Sequence, residues 1–258
     1  MDLLAPLIKS LMNFWYFIPI FIIIGTIKTP WFKGVCGEFM VNILLNNFLP
    51  KDDYHLLKDI TLKTEDGGTT QIDHVIVSRF GIFVVETKNM KGWIYGKANQ
   101  KQWTQKIFKY SGKFQNPLHQ NYKHLKTLET MLGVSQETLF SVIVFIGDSQ
   151  FKTKMPENVT YARGSINYIK SKQKELLSEA QVMSIIDNIQ TGRLERSFET
   201  NREHVAHVKA IVKAKENTKE CPKCGAEMKI RLVKKGEKAG NKFWGCSNFP
   251  RCRSMINA

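Results

Sequence analysis

Between Lys88 and Lys126 the sequence contains no aspartate and no glutamate, although nine lysines fall in that stretch. The shortage of acids extends to the whole chain: 23 Asp and Glu stand against 38 Lys and Arg, a formal net charge of +15. Such an imbalance favours polyanionic partners, meaning nucleic acid or an anionic membrane face. A basic surface that only serves solubility is the plainer alternative. Cysteine is also scarce. Of five, four lie in two short pairs, which excludes a disulfide framework and points to a reducing compartment, the cytosol. Cys36 is left over and reads as a small packed residue. No internal repeat is present, and no small-x-small site follows the first apolar run, so a cleaved signal peptide fits poorly.

What is present suits one mid-sized folded domain with accessories: 258 residues, 43% hydrophobic and 11% aromatic. Leu11 to Ile27 has no charged residue and reads as an uncleaved membrane helix, kinked at Pro19. Lys9 on one side against Lys28 and Lys33 on the other favours a cytoplasmic downstream side. In the acid-free stretch, Trp93, Tyr95, Trp103, Phe108, Tyr110, Phe114 and Tyr122 are interleaved with the lysines. Lysines hold phosphates and rings stack on bases, so Lys91, Lys97, Lys101 and Trp103 are candidate nucleic-acid contacts.

The pattern predicts a helix over 34–48 with Phe39, Ile43 and Leu44 on one face, ended by Pro50. Strands follow at 54–63, 69–77 and 82–88, the last two joined by a turn at Ser78–Gly81. Short strands are expected at 93–95 and 103–108. Asn116-Pro117 caps a helix running to about Leu132. A buried strand at 139–146, another at 159–162, and capping boxes at Ser178/Gln181 and Thr200/Glu203 complete the reading. The expected organisation is an anchor (1–30), an α/β domain (34–192), a basic helical linker (193–219) and a cysteine-rich module (220–258).

Cys221, Cys224, Cys246 and Cys252 form C-x2-C and C-x5-C pairs separated by 21 residues. Each close pair supplies two thiolates from one tight turn, the set that tetrahedral zinc takes. So short a module buries little core, so the metal is expected to provide its folding energy. The segments CPKCG, RLVKKG, FWGCSNFP and RC, within 221–254, resemble the C-terminal zinc ribbons of bacterial type IA DNA topoisomerases. That resemblance implies single-stranded DNA contact, with Phe243, Trp244 and Phe249 as stacking candidates; the same rings also suit packing of the ribbon itself. A topoisomerase is excluded by size.

Pairing the strands across Ser78–Gly81 makes paired residue numbers sum to 159, which sets Asp73 opposite Glu86. Glu86 and Lys88, two apart, share a face with apolar Val75, Val77, Ile82 and Val84. Opposed carboxylates destabilise a sheet unless something compensates. A divalent cation held by both acids is one solution, and a salt bridge from Lys88 to one acid is the other. Here a second resemblance enters. Glu38 in GEFMVNILL, TQIDHVIVS, GIFVVETKNMKGWIYG, Trp103 in QKQWTQ and FQNPLHQN, all within 34–132, resemble the nuclease-related domain (NERD) family. The resemblance implies a restriction-endonuclease-like, PD-(D/E)xK fold in which Glu38, Asp73, Glu86 and Lys88 take the catalytic positions. Gln120 is then a supporting residue, and Ile72 stands where that superfamily often has proline.

The whole predicts an α/β protein with a restriction-endonuclease-like core, an N-terminal transmembrane helix and a C-terminal zinc ribbon. The expected activity is Mg²⁺-dependent phosphodiester hydrolysis, with Asp73 and Glu86 as Mg²⁺ ligands and structural Zn²⁺ on the four cysteines. Its expected partners are DNA, single-stranded or structured, and a cell membrane through 11–27, with the C-terminal domains cytoplasmic. A catalytically silent DNA-binding module is the alternative.

Overall fold

The computed structural model describes residues 17–65, 67–195, 219–221, 223–233 and 240–257. Its chain divides into two units, Met1–Glu195 and Arg196–Ala258. The predicted helix from Thr200 and the first part of the expected anchor, 11–16, lie outside the described residues.

In the first unit, α1 (Ile18–Ile27) and α2 (Pro30–Phe48) precede β1 (Tyr54–Lys63), β2 (Thr69–Ser78) and β3 (Gly81–Asn89). Then come β4 (Gly92–Tyr95), β5 (Gln102–Ile107), β6 (Tyr110–Gln115), α3 (Pro117–Leu132), β7 (Leu139–Ile146) and β8 (Ser149–Phe151). The unit closes with β9 (Val159–Tyr161), α4 (Ala162–Lys170) and α5 (Glu179–Gly192). The main sheet has the order β1-β2-β3-β7-β9, antiparallel across the first three strands and parallel across the last three.

Both faces of this sheet are covered, which is why its central strands read as continuous apolar runs. Val75, Val77, Ile82 and Val84 pack with Leu128 of α3 and Val182, Ile185 and Ile189 of α5. Ile76, Phe83 and Val85 pack on the other face with Val41 and Leu45 of α2 and Ile166 and Ile169 of α4. A smaller sheet, β6-β5-β4-β8, covers Trp103, Ile94 and Phe145.

The helix α2 departs from expectation in two ways. It begins at Pro30, capped by the Thr29 hydroxyl, which accepts the Phe32 N–H at 3.2 Å. Its buried stripe is Gly37, Val41 and Leu45, while Phe39 and Ile43 of the expected face are exposed. Close approach decides this: a Cβ at Gly37 would stand 2.8 Å from Asn89 Cβ and 3.1 Å from Ile146 Cδ1. Only glycine lets the helix lie that near the sheet, so residues four and eight positions later follow it inward.

Of the expected membrane helix, 11–27, the described part is α1, Ile18–Ile27, ten residues long. Among the described residues no single helix is long and apolar enough to cross a membrane. The apolar α1 and α2 pass such a test only together, and they are bent by 66° at a break around Lys28–Thr29. None of the α1 residues is buried.

The α3 N-terminus shows how one side chain ties a helix to a loop. Buried Asn116 accepts the Leu118 N–H at 3.0 Å, and its Nδ2 donates to the carbonyls of Gln100 (2.7 Å) and Ala98 (2.9 Å). Asn116→Ala loses a cap, about 1 kcal/mol, and two hydrogen bonds to carbonyls of exposed loop residues, a further ~0.5–1.5 kcal/mol each. The expected result is a urea midpoint lowered to match, at unchanged slope.

In the second unit, β10 (Lys219–Glu220), β11 (Glu227–Leu232), β12 (Lys242–Cys246) and β13 (Met255–Asn257) form an antiparallel sheet in that order.

Candidate active site and zinc centre

The β2–β3 ladder runs from Ser78↔Gly81 to His74↔Val85, the register expected from the turn. Asp73 and Glu86 lie one step beyond its end. There the β1–β2 ladder also skips a rung: Lys58↔His74 and Ile60↔Ile72 are present with no Asp59↔Asp73 rung between them, and Asp59 has φ 51°. The alternation breaks at this point, since Ile72 and Val75 both face the α3–α5 side despite odd spacing. A local irregularity of this kind re-aims a side chain, and here the Asp73 Oδ2 atom accepts the Thr87 N–H at 2.9 Å.

Glu86 is buried at 3% exposure. Its Oε1 atom receives Lys88 Nζ at 2.6 Å, and the same ammonium donates to Gln120 Oε1 at 2.9 Å. His124, one turn after Gln120 on α3, sets its Nε2 atom 3.3 Å from Glu86 Oε2. That contact is off the line of a hydrogen bond, so both atoms are left without one. The other imidazole nitrogen, Nδ1, lies 2.8 Å from Thr70 Oγ1. Asn121 pins α3 to the sheet by donating to the Val84 carbonyl and to Ser141 Oγ, both at 2.8 Å.

Burial and repulsion separate the two acids. Desolvation, then the charges of Glu86 and Glu38, hold the Asp73 carboxyl well above the usual range, against the Thr87 N–H and Lys88. Burial would raise Glu86 as well, but His124 and Lys88 outweigh it and keep that group below its ordinary value. Burial also holds His74 down at about 4, so this imidazole is neutral at physiological pH. Glu38, on α2 and half-buried, is near enough to act on Asp73 by charge. A cavity of about 300 Å³ beside these groups is lined by Gly34, Thr87, Lys88, Phe114, Gln115 and Gln120.

All five expected catalytic residues therefore belong to one neighbourhood. His124 and Thr70 were missed, although the spacing of Gln120 and His124 places them on the same helical face. The donor set fits a divalent cation: two carboxylates, one with a buried unsatisfied oxygen and one pushed toward its neutral form by neighbouring acids.

Of the expected nucleic-acid contacts, Lys91, Lys97 and Lys101 are exposed. Trp103 is not available: it is fully buried, stacks on Phe145 and donates its indole N–H to the Lys97 carbonyl at 3.0 Å. Gly96 accommodates it, since a Cβ there would fall 2.3 Å from the indole ring. Trp103 is a core residue because a ring so enclosed has no face left for a base.

In the ribbon, the ligand atoms of all four cysteines lie within 4.8 Å of one another. Cys221 and Cys252 Sγ are 3.6 Å apart, and Cys224 and Cys246 Sγ 3.5 Å. Four sulfurs at ~2.3 Å from a tetrahedral zinc stand about 3.8 Å apart, so the cluster fits structural zinc. Among the described residues it is the one group of three or more His, Cys, Asp or Glu side chains gathered closely enough to hold a metal. Gly225 closes the first turn at φ +72°, donating to the Cys221 carbonyl at 2.9 Å. Trp244 is buried within the ribbon, Phe243 half-buried and Phe249 58% exposed, so of these three only Phe249 offers most of its ring.

Comparison with known proteins agrees with this geometry. Residues 33–146 match the family model described as nuclease-related domain, and residues 218–258 match that of the topoisomerase DNA binding C4 zinc finger. An uncharacterized protein of Bacillus anthracis is 50% identical over 103 residues, 40% of this chain and 48% of that one. DNA topoisomerase 1 of Archaeoglobus fulgidus is 30% identical over 121 residues, 45% of this chain and 16% of the topoisomerase. The chain thus spans about half of the first relative, 48%, and a small part of the second, 16%. No solved structure matches. The chain carries a nuclease-related domain over residues 33–146 and a topoisomerase-type four-cysteine zinc ribbon over residues 218–258.

Proposed function

We propose that this protein is a divalent-metal-dependent phosphodiester hydrolase of restriction-endonuclease-like architecture that acts on DNA and is held at a membrane. The observation that carries the reading is the convergence of Asp73, Glu86, Lys88 and Gln120 beside an open cavity. Asp73 and Glu86 would hold Mg²⁺, which when bound supplies Lewis acidity and a more acidic water. Lys88, steered by Gln120, presents a positive charge where a phosphate would build negative charge. The Glu38 carboxylate adds an acceptor on the α2 side. DNA as the polymer is supported by the topoisomerase-type ribbon and by the acid-free, lysine-rich stretch. Cleavage of single-stranded, duplex and branched DNA, and of RNA, with Mg²⁺ or Mn²⁺ and with chelator as control, tests the proposal. No cleavage of any of them under metal overturns it.

One observation favours a silent DNA-binding module instead: Glu86 already has Lys88 Nζ at 2.6 Å and His124 Nε2 at 3.3 Å, so this chain's own side chains crowd its carboxylate. Binding without cleavage is its signature.

The membrane part rests on α1, whose Phe21, Ile22 and Ile23 are 69%, 60% and 56% exposed. Burial in lipid would remove that apolar surface from water, with Lys28 and Lys33 on the cytoplasmic side. Deleting residues 1–30 is expected to move the protein from the membrane fraction to the soluble one. A full-length chain that is soluble after gentle lysis would rule out the tether.

A further inference from the structure

We infer that the outer face of the small sheet β6-β5-β4-β8 is a binding platform for single-stranded nucleic acid. The proposal rests on the nucleic-acid reading above and adds where, and by which rings, a strand is held.

The register decides which side chains share a face, because directly paired residues project together. Ile94 pairs with Gln105, and Trp103 with Phe114; this side is turned to the core, where Ile94 and Trp103 are fully buried. The opposite side carries Trp93 paired with Lys106, Tyr95 paired with Thr104, and Thr104 paired in turn with Lys113. Lys106 and Lys113 are exposed, Trp93 is 45% exposed and Tyr95 half-buried. Exposed Lys152, just after β8, places its ammonium 4.9 Å from the Trp93 ring centroid. At the β5–β6 tip Phe108 is 96% exposed at φ 49°, a backbone conformation that bulky residues rarely adopt.

This arrangement is unlike an ordinary solvated sheet face. Trp93 and Tyr95 are two residues apart on one strand, about 7 Å, which leaves room for a base on each ring. Lysines flank them on β5 and just beyond the end of β8, and residues 88–126 supply no acid to repel a phosphate. Rings that stack any base, with ammonium groups tracking the backbone, bind single strands with little sequence preference. In duplex DNA the base faces are stacked away, so the platform selects single strands or unpaired segments.

The test measures binding of the full chain, in detergent, to a short fluorescein-labelled oligo(dT), with the same sequence as duplex for comparison. Trp93→Ala is expected to weaken oligo(dT) binding about tenfold or more and to leave duplex binding nearly unchanged, while Trp93→Phe retains most of the affinity. Lys106→Gln with Lys152→Gln is expected to flatten the slope of log affinity against log salt by about 1.4. If the wild type binds oligo(dT) but neither the ring variant nor the lysine variant changes affinity or salt slope, the platform is overturned and the ribbon is left as the binding surface. A wild type that binds no nucleic acid at all overturns the nucleic-acid reading itself.

Discussion

Asp73→Asn is expected to lower Mg²⁺-dependent cleavage by at least about 10²-fold and, in the same preparation without metal, to raise the melting temperature. The two effects have one cause. Asp73 is a half-buried acid whose desolvation and proximity to Glu86 and Glu38 hold its carboxyl well above the ordinary range. Between the unfolded value, near ~3.9, and the raised native one, the folded state binds more protons than the unfolded state. Its stability is therefore full below the unfolded value and is lost as pH rises through the native one. Asparagine removes that loss, so the two proteins should melt alike below about pH 4 and diverge above it. Mg²⁺ should raise the melting temperature of the wild type and not of the variant, because only the former has the ligand.

Glu86 predicts the opposite sign. Its folded pKa is depressed, so its contribution is present above the unfolded value and lost as pH falls through the folded one. Glu86→Gln leaves Lys88 and His124 facing a neutral group and should cost about 3 kcal/mol, the low end for breaking a buried pair. Lys88→Ala should likewise melt lower and cut poorly. A purely structural salt bridge gives a different pattern: all three variants melt lower and still cut in proportion to folded protein. That pattern would place any active site elsewhere. Melting and cleavage on the same samples separate the two.

Removing zinc should have the second large effect, confined to one unit. The ribbon core comprises Cys221, Cys246, Met228 and Trp244, with Ala226, Cys252 and Ile256 at its edge. So little apolar burial cannot hold four short strands, whereas structural zinc contributes on the order of 10–16 kcal/mol. Cys221→Ser, Cys246→Ser or a strong chelator should unfold β10–β13. The unit Met1–Glu195, with its own core, should melt as before. Metal analysis should find about one zinc per chain; an intact, reduced preparation without zinc would refute the assignment.

Much of the site was legible in one dimension because its signals are local. The turn at Arg79–Phe80 sets the hairpin register as far as His74↔Val85, and a period of two puts Glu86 and Lys88 on one face, while Asp73 lies one step beyond the ladder, where the alternation breaks. Asn116-Pro117 and Ser178 with Gln181 mark helix starts because the capping group lies within three residues of the donor it satisfies. Cysteine spacing identifies the ribbon because tetrahedral coordination constrains chain length directly.

Other features depended on neighbours distant in sequence. β6 and β8 were not foreseen, since YSGKFQ and SQF lack strong strand patterning and form strands by pairing with β5 and β4. Trp103 and Trp93 are alike as tryptophans in a lysine-rich stretch. Which one is buried depends on where the sheet packs against Phe145. His124 entered the site only when α3 was laid across β3 by Asn121.

The sequence by itself determined the two modules, the hairpin register, the helix caps and the zinc ligands, all through chemistry that acts over a few residues or at fixed spacing. The tertiary structure alone decided which face of α2 is buried, which acid is held above its usual range and which below, and which aromatic rings meet solvent. Those outcomes depend on desolvation and close contact between segments far apart in the chain. Gly37 against Asn89, and Glu86 between Lys88 and His124, are contacts that no local pattern contains.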